Sequence, residues 1–387
     1  MLIGQEVTVL GGGIGGLAAA LALARRGARV SVLEQAPEIT EVGAGIQISP
    51  NGWRVLQALG VAEAVAALGP RSEAVRLRDF RRGGLVFALR FGPDDPPWHL
   101  VHRADLVGVL ADAARAAGVT LRLGVRVTGV DPQPLGTELT LADGSRESHG
   151  LTVAADGLHS AARGALNRKT GAFFTGQVAW RCTIPVATPM APEAHVFMGP
   201  GRHLVRYPLR DRRQVNVVAV EERDGWAAEG WHHQDDPEHL RRAFVDFCPE
   251  VRRLLDRADT VFIWGLFRHP VAPVWQDHRL VLLGDAAHPT LPFLAQGANM
   301  ALEDAFVLAR CLSEDAELRQ ALARYEALRR PRCARIVQAA NDNATNYHLR
   351  PGPMRFAAHT ALRAAARFAP AAVTGRFDWV HRHDVTA

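Results

Sequence analysis

A glycine-rich turn that joins an apolar strand to a helix is the feature that most constrains how this chain folds. Residues 7–10 form a short apolar run, and three glycines follow it in the pattern G-x-G-x-x-G: Gly11, Gly13 and Gly16. Helix-forming residues come next, and alternating residues at 29–33 predict a second strand that ends at Glu34. The start of the chain therefore predicts a β-α-β unit and an α/β fold.

This β-α-β unit predicts a binding site for a dinucleotide. Glycines at the turn let the backbone approach a pyrophosphate, and the N-terminus of the helix offers N–H groups to it. Glu34 follows Gly11 by 23 residues, close to the spacing of about 20 at which a carboxylate accepts hydrogen bonds from a ribose diol. The plainer alternative is a glycine turn beside a surface glutamate.

Two later segments repeat a strand followed by an acidic turn. Residues 151–155 precede Asp156, and residues 280–283 precede Gly284 and Asp285. Ligands of open α/β sheets bind at the carboxyl ends of strands, so we expect both carboxylates at a ligand-facing edge. Each carboxylate taken alone could instead be a helix cap.

The middle of the chain has a different pattern. Alternating runs at 194–197, 203–209 and 215–220 predict antiparallel strands, and residues 210–213 predict a hairpin loop. The predicted division is a nucleotide-binding domain at 1–175 with a short excursion near 71–100 towards the substrate domain, a β-rich substrate domain at 176–271, a second part of the nucleotide-binding domain at 272–345, and a C-terminal helix and tail at 346–387.

The composition excludes several classes of protein. With 48% hydrophobic and 22% charged residues the chain is an ordinary globular one, and no apolar run approaches the roughly 20 residues of a membrane span. No secretory signal is visible, so we expect a cytoplasmic protein. The four cysteines are widely separated, which predicts neither a metal site nor a disulfide framework. A net charge of +5 with scattered basic residues disfavours nucleic acid and suits a small anionic substrate.

Taken together, the motifs resemble those of the class A flavoprotein aromatic hydroxylases, a family that includes 3-hydroxybenzoate 6-hydroxylase and salicylate hydroxylase. The resemblance covers nearly the whole chain. Beyond the opening unit it rests on residues 43–51, 102–106, 155–160 with Arg163, 284–289 and 295–299. It implies a Rossmann-like FAD-binding domain with an inserted, mostly antiparallel β-sheet substrate domain and a C-terminal helix.

The resemblance also implies a set of cofactor-binding residues. FAD is expected to bind noncovalently to Gly11, Gly13, Gly16, Glu34, Gly45, Arg103, Asp156, Gly284, Asp285, Pro292, Gly297 and Ala298. A long helix is expected from Gly297, and the positive end of its dipole would stabilise an anionic reduced flavin.

The implied activity is hydroxylation of a small phenolic acid with NAD(P)H and O2 through a flavin C4a-hydroperoxide. Conversion of 3-hydroxybenzoate to gentisate is the favoured example, because Phe293 replaces the histidine expected in salicylate hydroxylases. A salicylate or hydroxynicotinate-type hydroxylase remains an alternative. A flavin oxidase or reductase and a non-catalytic flavin-dependent interaction module remain alternatives of another class. The choice between NADH and NADPH and between monomer and homodimer stays open.

The expected catalytic residues are His203, Tyr207 and Gln296. Side chains of a strand alternate, so His203 and Tyr207 point to one face, and the pair resembles the histidine and tyrosine that similar hydroxylases present to substrate. A phenolate is more nucleophilic than a phenol, which gives a histidine base a task. The plainer alternative is a sheet histidine beside a packing tyrosine.

Overall fold

The computed structural model describes residues 2–39, 44–167, 171–223, 225, 233–277, 279–350, 352–368 and 375–387. Residue 43, at the start of one of the motifs named above, lies outside these described residues. The architecture is a mixed α/β fold with a largely parallel sheet, a larger antiparallel sheet and a helical C-terminal region.

The strands are, in chain order, β1 (Glu6–Leu10), β2 (Arg29–Glu34), β3 (Gly45–Ile48), β4 (Ala74–Asp79), β5 (Leu85–Arg90), β6 (His99–His102), β7 (Thr120–Leu123), β8 (Val127–Gln133), β9 (Gly136–Leu141), β10 (Arg146–His149), β11 (Leu151–Ala154), β12 (Phe173–Pro185), β13 (Glu193–Gly199), β14 (Arg202–Leu209), β15 (Gln214–Glu222), β16 (Gln234–Asp235), β17 (Val261–Arg268), β18 (Gln276–Asp277) and β19 (Leu280–Leu282).

The helices are α1 (Ile14–Ala24), α2 (Pro50–Ala58), α3 (Ala62–Ala66), α4 (Arg103–Ala116), α5 (Ala161–Leu166), α6 (Pro237–Ala243), α7 (Pro249–Leu255), α8 (Gly297–Glu314), α9 (Leu318–Tyr347), α10 (Pro353–Phe368) and α11 (Asp378–His381). Short 3-10 turns lie at Gly284–Ala286, Pro292–Leu294 and Gly375–Phe377. No helix in the described ranges is both long and apolar enough to span a membrane.

The parallel sheet carries the predicted β-α-β unit. Its strand order is β18-β19-β11-β1-β2-β7, and every neighbouring pair except β18 with β19 is parallel. Helix α1 is rich in alanine and is buried along nearly its whole length, so α8 packs closely against it. This core brings the carboxyl ends of β19, β11, β1 and β2 side by side at one edge.

The antiparallel sheet forms the second layer. Its order is β16-β17-β12-β15-β14-β13-β4-β5, with one parallel pair, β13 with β4. Because β4 and β5 come from residues 74–90, the early part of the chain contributes two strands to this sheet. The predicted domain boundaries themselves stay a prediction.

The two faces of this sheet have different partners. On the outer face, apolar side chains such as Trp180 and Phe197 pack with Phe244 and Phe247 beneath α6 and α7. The inner face carries the side chains that alternate with these: Gln177, Ala179 and Arg181 of β12, His203, Val205 and Tyr207 of β14, Asn216, Val218 and Val220 of β15, and Trp264 and Leu266 of β17. Strand β3 and the turn Pro292–Leu294 lie against this inner face.

Candidate active site

The glycine turn after β1 leaves no room for side chains. Gly11 has φ +98°, and a Cβ there would lie 2.4 Å from the carbonyl oxygen of Ala155. A Cβ on Gly16 would lie 2.0 Å from the carbonyl oxygen of Gly11. Among the described residues no side chain caps the N-terminus of α1, which begins after Gly13, and its first turn has no acidic residue. The turn therefore offers backbone N–H groups and the positive end of a helix dipole to an anion.

Glu34 lies over the same turn. Its carboxylate accepts hydrogen bonds from the backbone N–H of Gly12 at 2.5 Å and of Ala36 at 2.8 Å. These two contacts hold the carboxylate at the end of β2, directly beside the glycines, where the sequence pattern predicted it.

Asp156 and Asp285 follow the neighbouring strands β11 and β19. One oxygen of Asp156 accepts from the N–H of Ala161 at 3.0 Å, whereas its buried Oδ1 has no hydrogen-bond partner among the described residues. Burial raises the pKa of Asp156 and of Asp285. Asp285 nevertheless keeps surface open to solvent, so a ligand can reach it. The charge of Arg103, at the start of α4, acts on Asp285 in the direction that lowers its pKa.

These features fit a dinucleotide. The structure brings the glycine turn, Glu34, Asp156, Asp285 and Arg103 to one edge of the parallel sheet. A narrow glycine cradle, an uncapped helix start and an unpaired buried carboxylate oxygen are groups that pyrophosphate and sugar hydroxyls satisfy. Their individual roles stay predictions.

A second helix start follows a turn that packs against the antiparallel sheet. Pro292 is exposed in a 3-10 turn, Ala295 adopts a left-handed conformation at φ 52°, and α8 then begins at Gly297 with no acidic residue in its first turn within the described chain. Ala298, the next residue, is half-buried.

Gln296 lies just before α8, and its side chain is already engaged with protein groups. Its amide nitrogen donates to Ser49 Oγ at 2.9 Å, and its oxygen accepts from Asn51 Nδ2 at 3.0 Å. The side chain is buried by these contacts. Its catalytic role stays a prediction.

A buried polar network beneath α8 was not anticipated from sequence. Glu303 accepts from Asn51 at 2.6 Å and pairs with Arg329 at 2.6 Å. Asp304 pairs with Arg329 at 2.7 Å and with His288 at 2.5 Å. Two adjacent carboxylates within the otherwise apolar stretch 300–309 of α8 were the available signal, since buried carboxylates need cationic partners.

This network fixes the charge state of His288. Burial lowers the pKa of His288, but Cys333 and Asp304 beside it raise the pKa well above its ordinary value. Burial opposes ionisation of Asp304, yet His288 and Arg329 lower its pKa to about 2. His288, Asp304 and Cys333 lie close enough to hold a metal ion, but the guanidinium of Arg329 already contacts Asp304 and Cys333. The cluster therefore reads as a structural ion pair that supports the loop before α8.

His203 lies on the inner face and is almost completely buried. Burial and then neighbouring His348 lower its pKa well below the ordinary value, so the imidazole is neutral near pH 7. Its Nδ1 lies 2.7 Å from Nε2 of His348. The rings of Phe293 and Tyr347 lie 5.4 and 5.2 Å from it, centroid to centroid.

Tyr207 lies on the same face at the other end of the strand, about 13 Å from His203 for four residues of extended chain. It packs against Gly45, where a Cβ would lie 2.5 Å from its Cε2. Trp98 and Leu100 belong to the same apolar cluster. Burial raises the pKa of Tyr207, and the charge of Arg181 partly offsets that rise.

Arg181 is an inner-face residue that the sequence argument missed. It is 6% exposed, its guanidinium lies 5.7 Å from the ring of Trp264, and its charge acts on Tyr207 and His102. Nothing in the sequence distinguishes this arginine from the many others, because only the pairing of β12 with β15 and β17 puts it on the inner face. A buried cation there suits an anionic ligand.

Comparison with known proteins identifies relatives along most of the chain. The sequence profile of the family described as "FAD binding domain" matches residues 5–340. The chain is 37% identical over 362 residues to 3-amino-4-hydroxybenzoate 2-monooxygenase of Streptomyces cremeus, covering 90% of this chain and 89% of that one. It is 35% identical over 362 residues to 3-hydroxybenzoate 6-hydroxylase of Polaromonas naphthalenivorans (strain CJ2), covering 88% of each.

Solved structures give the same picture of the fold. HpxO of Klebsiella pneumoniae, in complex with FAD and uric acid, is 28% identical, with a TM-score of 0.82 and 94% of each chain covered. A salicylate hydroxylase substrate complex is 23% identical, with a TM-score of 0.82 over 99% of this chain and 96% of that one, and this likeness shows the fold.

Proposed function

The chain belongs to the FAD binding domain family, and we propose that it hydroxylates a small phenolic aromatic acid with FAD, NAD(P)H and O2. The chain is an FAD-dependent monooxygenase, in keeping with relatives that cover about nine-tenths of it. The observation that carries the proposal is the inner face, where His203, Tyr207 and the buried cation Arg181 lie among apolar side chains, with the turn that precedes α8 packed against the same sheet. An aromatic ring with a phenol and a carboxylate matches those three polar groups.

The favoured substrate is 3-hydroxybenzoate, with gentisate as product. A relative named 3-hydroxybenzoate 6-hydroxylase supports this choice. The second candidate is 3-amino-4-hydroxybenzoate, because a relative named for that acid is 37% identical to this chain. Both acids carry one phenol and one carboxylate, so the same three polar groups serve either.

In the proposed enzyme, FAD would be held by the glycine turn, Glu34, Asp156, Asp285 and Arg103, and by Pro292 and the start of α8. Bound FAD carries two electrons from NAD(P)H and activates O2, so that one oxygen atom enters the ring and the other leaves as water. The uncapped start of α8 supplies a positive partial charge that favours an anionic ligand there. The inner face and the α8 turn exclude water from the ring to be hydroxylated.

His203 is the proposed base. Its depressed pKa keeps the imidazole neutral near pH 7, so it can accept the phenol proton. The resulting phenolate pushes electron density into the ring and makes the ring carbons more nucleophilic. Tyr207 and Gln296 are proposed to orient the substrate, Tyr207 at the far end of β14 and Gln296 at the start of α8. Arg181 is proposed to pair with the carboxylate.

A spectrum and a substrate panel test the proposal. Purified protein is expected to show the visible absorbance of noncovalent FAD. NAD(P)H oxidation is expected to rise at least about tenfold with 3-hydroxybenzoate or 3-amino-4-hydroxybenzoate, giving a hydroxylated product identified by mass spectrometry. Benzoate, which lacks the phenol, is the matched control and should give no hydroxylated product.

Three outcomes would contradict the proposal in distinguishable ways. Protein that fails to bind added FAD would overturn the whole account. Rapid NAD(P)H oxidation that yields only H2O2 with every phenolic acid would indicate a flavin oxidase or reductase. Flavin binding without any NAD(P)H oxidation would favour a non-catalytic flavin-dependent module.

A further inference from the structure

A line of three polar side chains connects the inner face to solvent. Nδ1 of His203 lies 2.7 Å from Nε2 of His348, and Nδ1 of His348 lies 2.8 Å from Oε1 of Glu222. Both imidazoles are buried, whereas the side chain of Glu222 is 45% exposed. The three residues come from β14, from the turn that follows α9 and from β15, so tertiary structure alone brings them together.

The chemistry of the groups sets the direction of the hydrogens. An ionised carboxylate can only accept, so His348 donates from Nδ1 to Glu222. A neutral His348 then has only a lone pair at Nε2, and His203 must donate to it from Nδ1. Nε2 of His203 is left as an acceptor, and no described residue forms a hydrogen bond with it. At the inner face, the line of side chains therefore ends in the lone pair on Nε2 of His203, and a base needs such a lone pair to accept a proton.

We propose that His348 and Glu222 form a relay that carries the phenol proton from His203 to solvent. This inference rests on the proposed function, in which His203 is the base. The phenol O–H bond breaks as a new N–H bond forms at Nε2 of His203. His203 then passes its Nδ1 proton to Nε2 of His348, and His348 passes its own Nδ1 proton to Glu222 or water. When product leaves as a phenol, a proton returning by the same route restores both tautomers.

The surroundings favour proton transfer over a fixed charge. Burial lowers the pKa of His203 and of His348, and Glu222 acts to raise that of His348, so neither ring carries a permanent positive charge near pH 7. Tyr347 also faces His203, but burial raises its pKa to about 12, which keeps its hydroxyl protonated. On β12, the side-chain amide nitrogen of Gln177 lies 3.4 Å from Nδ1 of His348. An amide neither gains nor loses a proton near pH 7, so Gln177 takes no part in the relay. Phe293 contributes only an apolar wall.

The test measures proton release on binding, independently of turnover. Oxidised, FAD-loaded protein is mixed with 3-hydroxybenzoate, and separately with 3-amino-4-hydroxybenzoate, in weak buffer with a pH-indicator dye between pH 6 and 9. Phenolate absorbance and dye response are followed by stopped flow. In H348Q and E222Q the rate of proton release should fall at least about tenfold, with substrate affinity within about twofold of wild type. E221Q is the matched control, because Glu221 is the neighbouring glutamate of β15 and pairs with Arg223 instead.

Two further readouts separate a relay from a packing role. Imidazole added to H348A should restore the rate of proton release. At a pH where the phenol of the unbound substrate is already ionised, H348Q and E222Q should give the same phenolate absorbance and dye response as wild type. Unchanged release rates in H348Q and E222Q beside normal hydroxylation would overturn the relay alone. Wild-type protein that hydroxylates phenolic acids but never releases a proton on binding them would also overturn it. Wild-type protein that hydroxylates no phenolic acid would overturn the proposed function and the relay with it.

Discussion

At Arg181 a single buried charge is expected to decide affinity for the acid. Arg181→Gln removes the cation and Arg181→Lys keeps it, so only the Gln variant loses the charge-assisted pairing with a carboxylate. We expect the Kd of 3-hydroxybenzoate, measured by flavin absorbance changes, to rise by about 10- to 100-fold in Arg181→Gln, equivalent to about 1.5–3 kcal/mol. FAD content should stay at the wild-type level.

A neutral ligand supplies the control for this prediction. The phenol 3-methylphenol lacks the carboxylate, so its affinity should be the same in wild type and in Arg181→Gln. Equal weakening of both ligands would mean that the substitution has disturbed packing, and unchanged affinity for 3-hydroxybenzoate would remove Arg181 from the carboxylate site.

Sequence patterns identified some of these residues and missed others for a physical reason. Alternation along one strand was enough to put His203 and Tyr207 on the same face, because that rule is local. Arg181 and His348 reach His203 and Tyr207 only through strand pairing and the turn that follows a long helix. Their separation along the chain leaves no periodic signal.

Among the elements, β3 is held against β14 by the absence of a side chain at Gly45. The resemblance assigns Gly45 to the cofactor, and the structure adds a packing reason, since a Cβ would lie 2.5 Å from Tyr207 and 2.9 Å from Leu209. Gly45→Ala should therefore push β3 away from the sheet and lower the free energy of unfolding by about 1–3 kcal/mol, measured with urea. FAD affinity, measured in parallel, reports any additional cofactor role.

A second glycine shows what the chain tolerates. Gly108 lies inside α4, where a Cβ meets no atom within 4 Å, so Gly108→Ala should raise the free energy of unfolding by up to about 1 kcal/mol. If Gly45→Ala were as stable as wild type, the contact with Tyr207 could not be what requires glycine there.

Elements whose sequence pattern spans only a few neighbouring residues could be predicted, whereas those that depend on distant residues could not. Several elements begin within a few residues of their predicted positions: the β1-α1-β2 unit, β13, β14 and α8. The loop at 210–213 is a hairpin connection, with positive φ at Arg210 and Arg212. The order of the eight-stranded sheet could not be derived, because β4, with β5 paired beside it, joins β13 across more than 100 residues.

At the scale of the whole molecule, arginine side chains bind the C-terminal segment, residues 375–387, to the layer that contains the parallel sheet. Arg54 donates to the carbonyl of His381 at 3.1 Å, and Arg332 donates to the carbonyls of Trp379 and Val380, each at 2.9 Å. The side chain of Val380 is fully buried in the main core. This C-terminal segment is therefore an integral part of the layer that contains the parallel sheet, and its titrating groups contribute to global stability.

His381 makes that contribution depend on pH. Burial, and then the charge of Arg332, lower its pKa from 6.5 to about 4, and its ring packs 4.8 Å from that of Trp98. Between these two pH values the unfolded chain binds a proton that the folded protein does not, so stability falls as pH is lowered. His381→Gln should remove this dependence, reducing the loss of unfolding free energy between pH 7 and 4.5 by about 2 kcal/mol.

The comparison is made by urea unfolding at both pH values, because other groups titrate over the same range and only the difference between variants isolates His381. His159 is exposed, so His159→Gln is the matched control for the same substitution at a solvent-exposed position. If His381→Gln shows the same loss of stability as His159→Gln, the His381 ring must take up its proton in the folded protein. The tail would then have to open locally in acid, with Arg54 and Arg332 released from its carbonyls before the global transition.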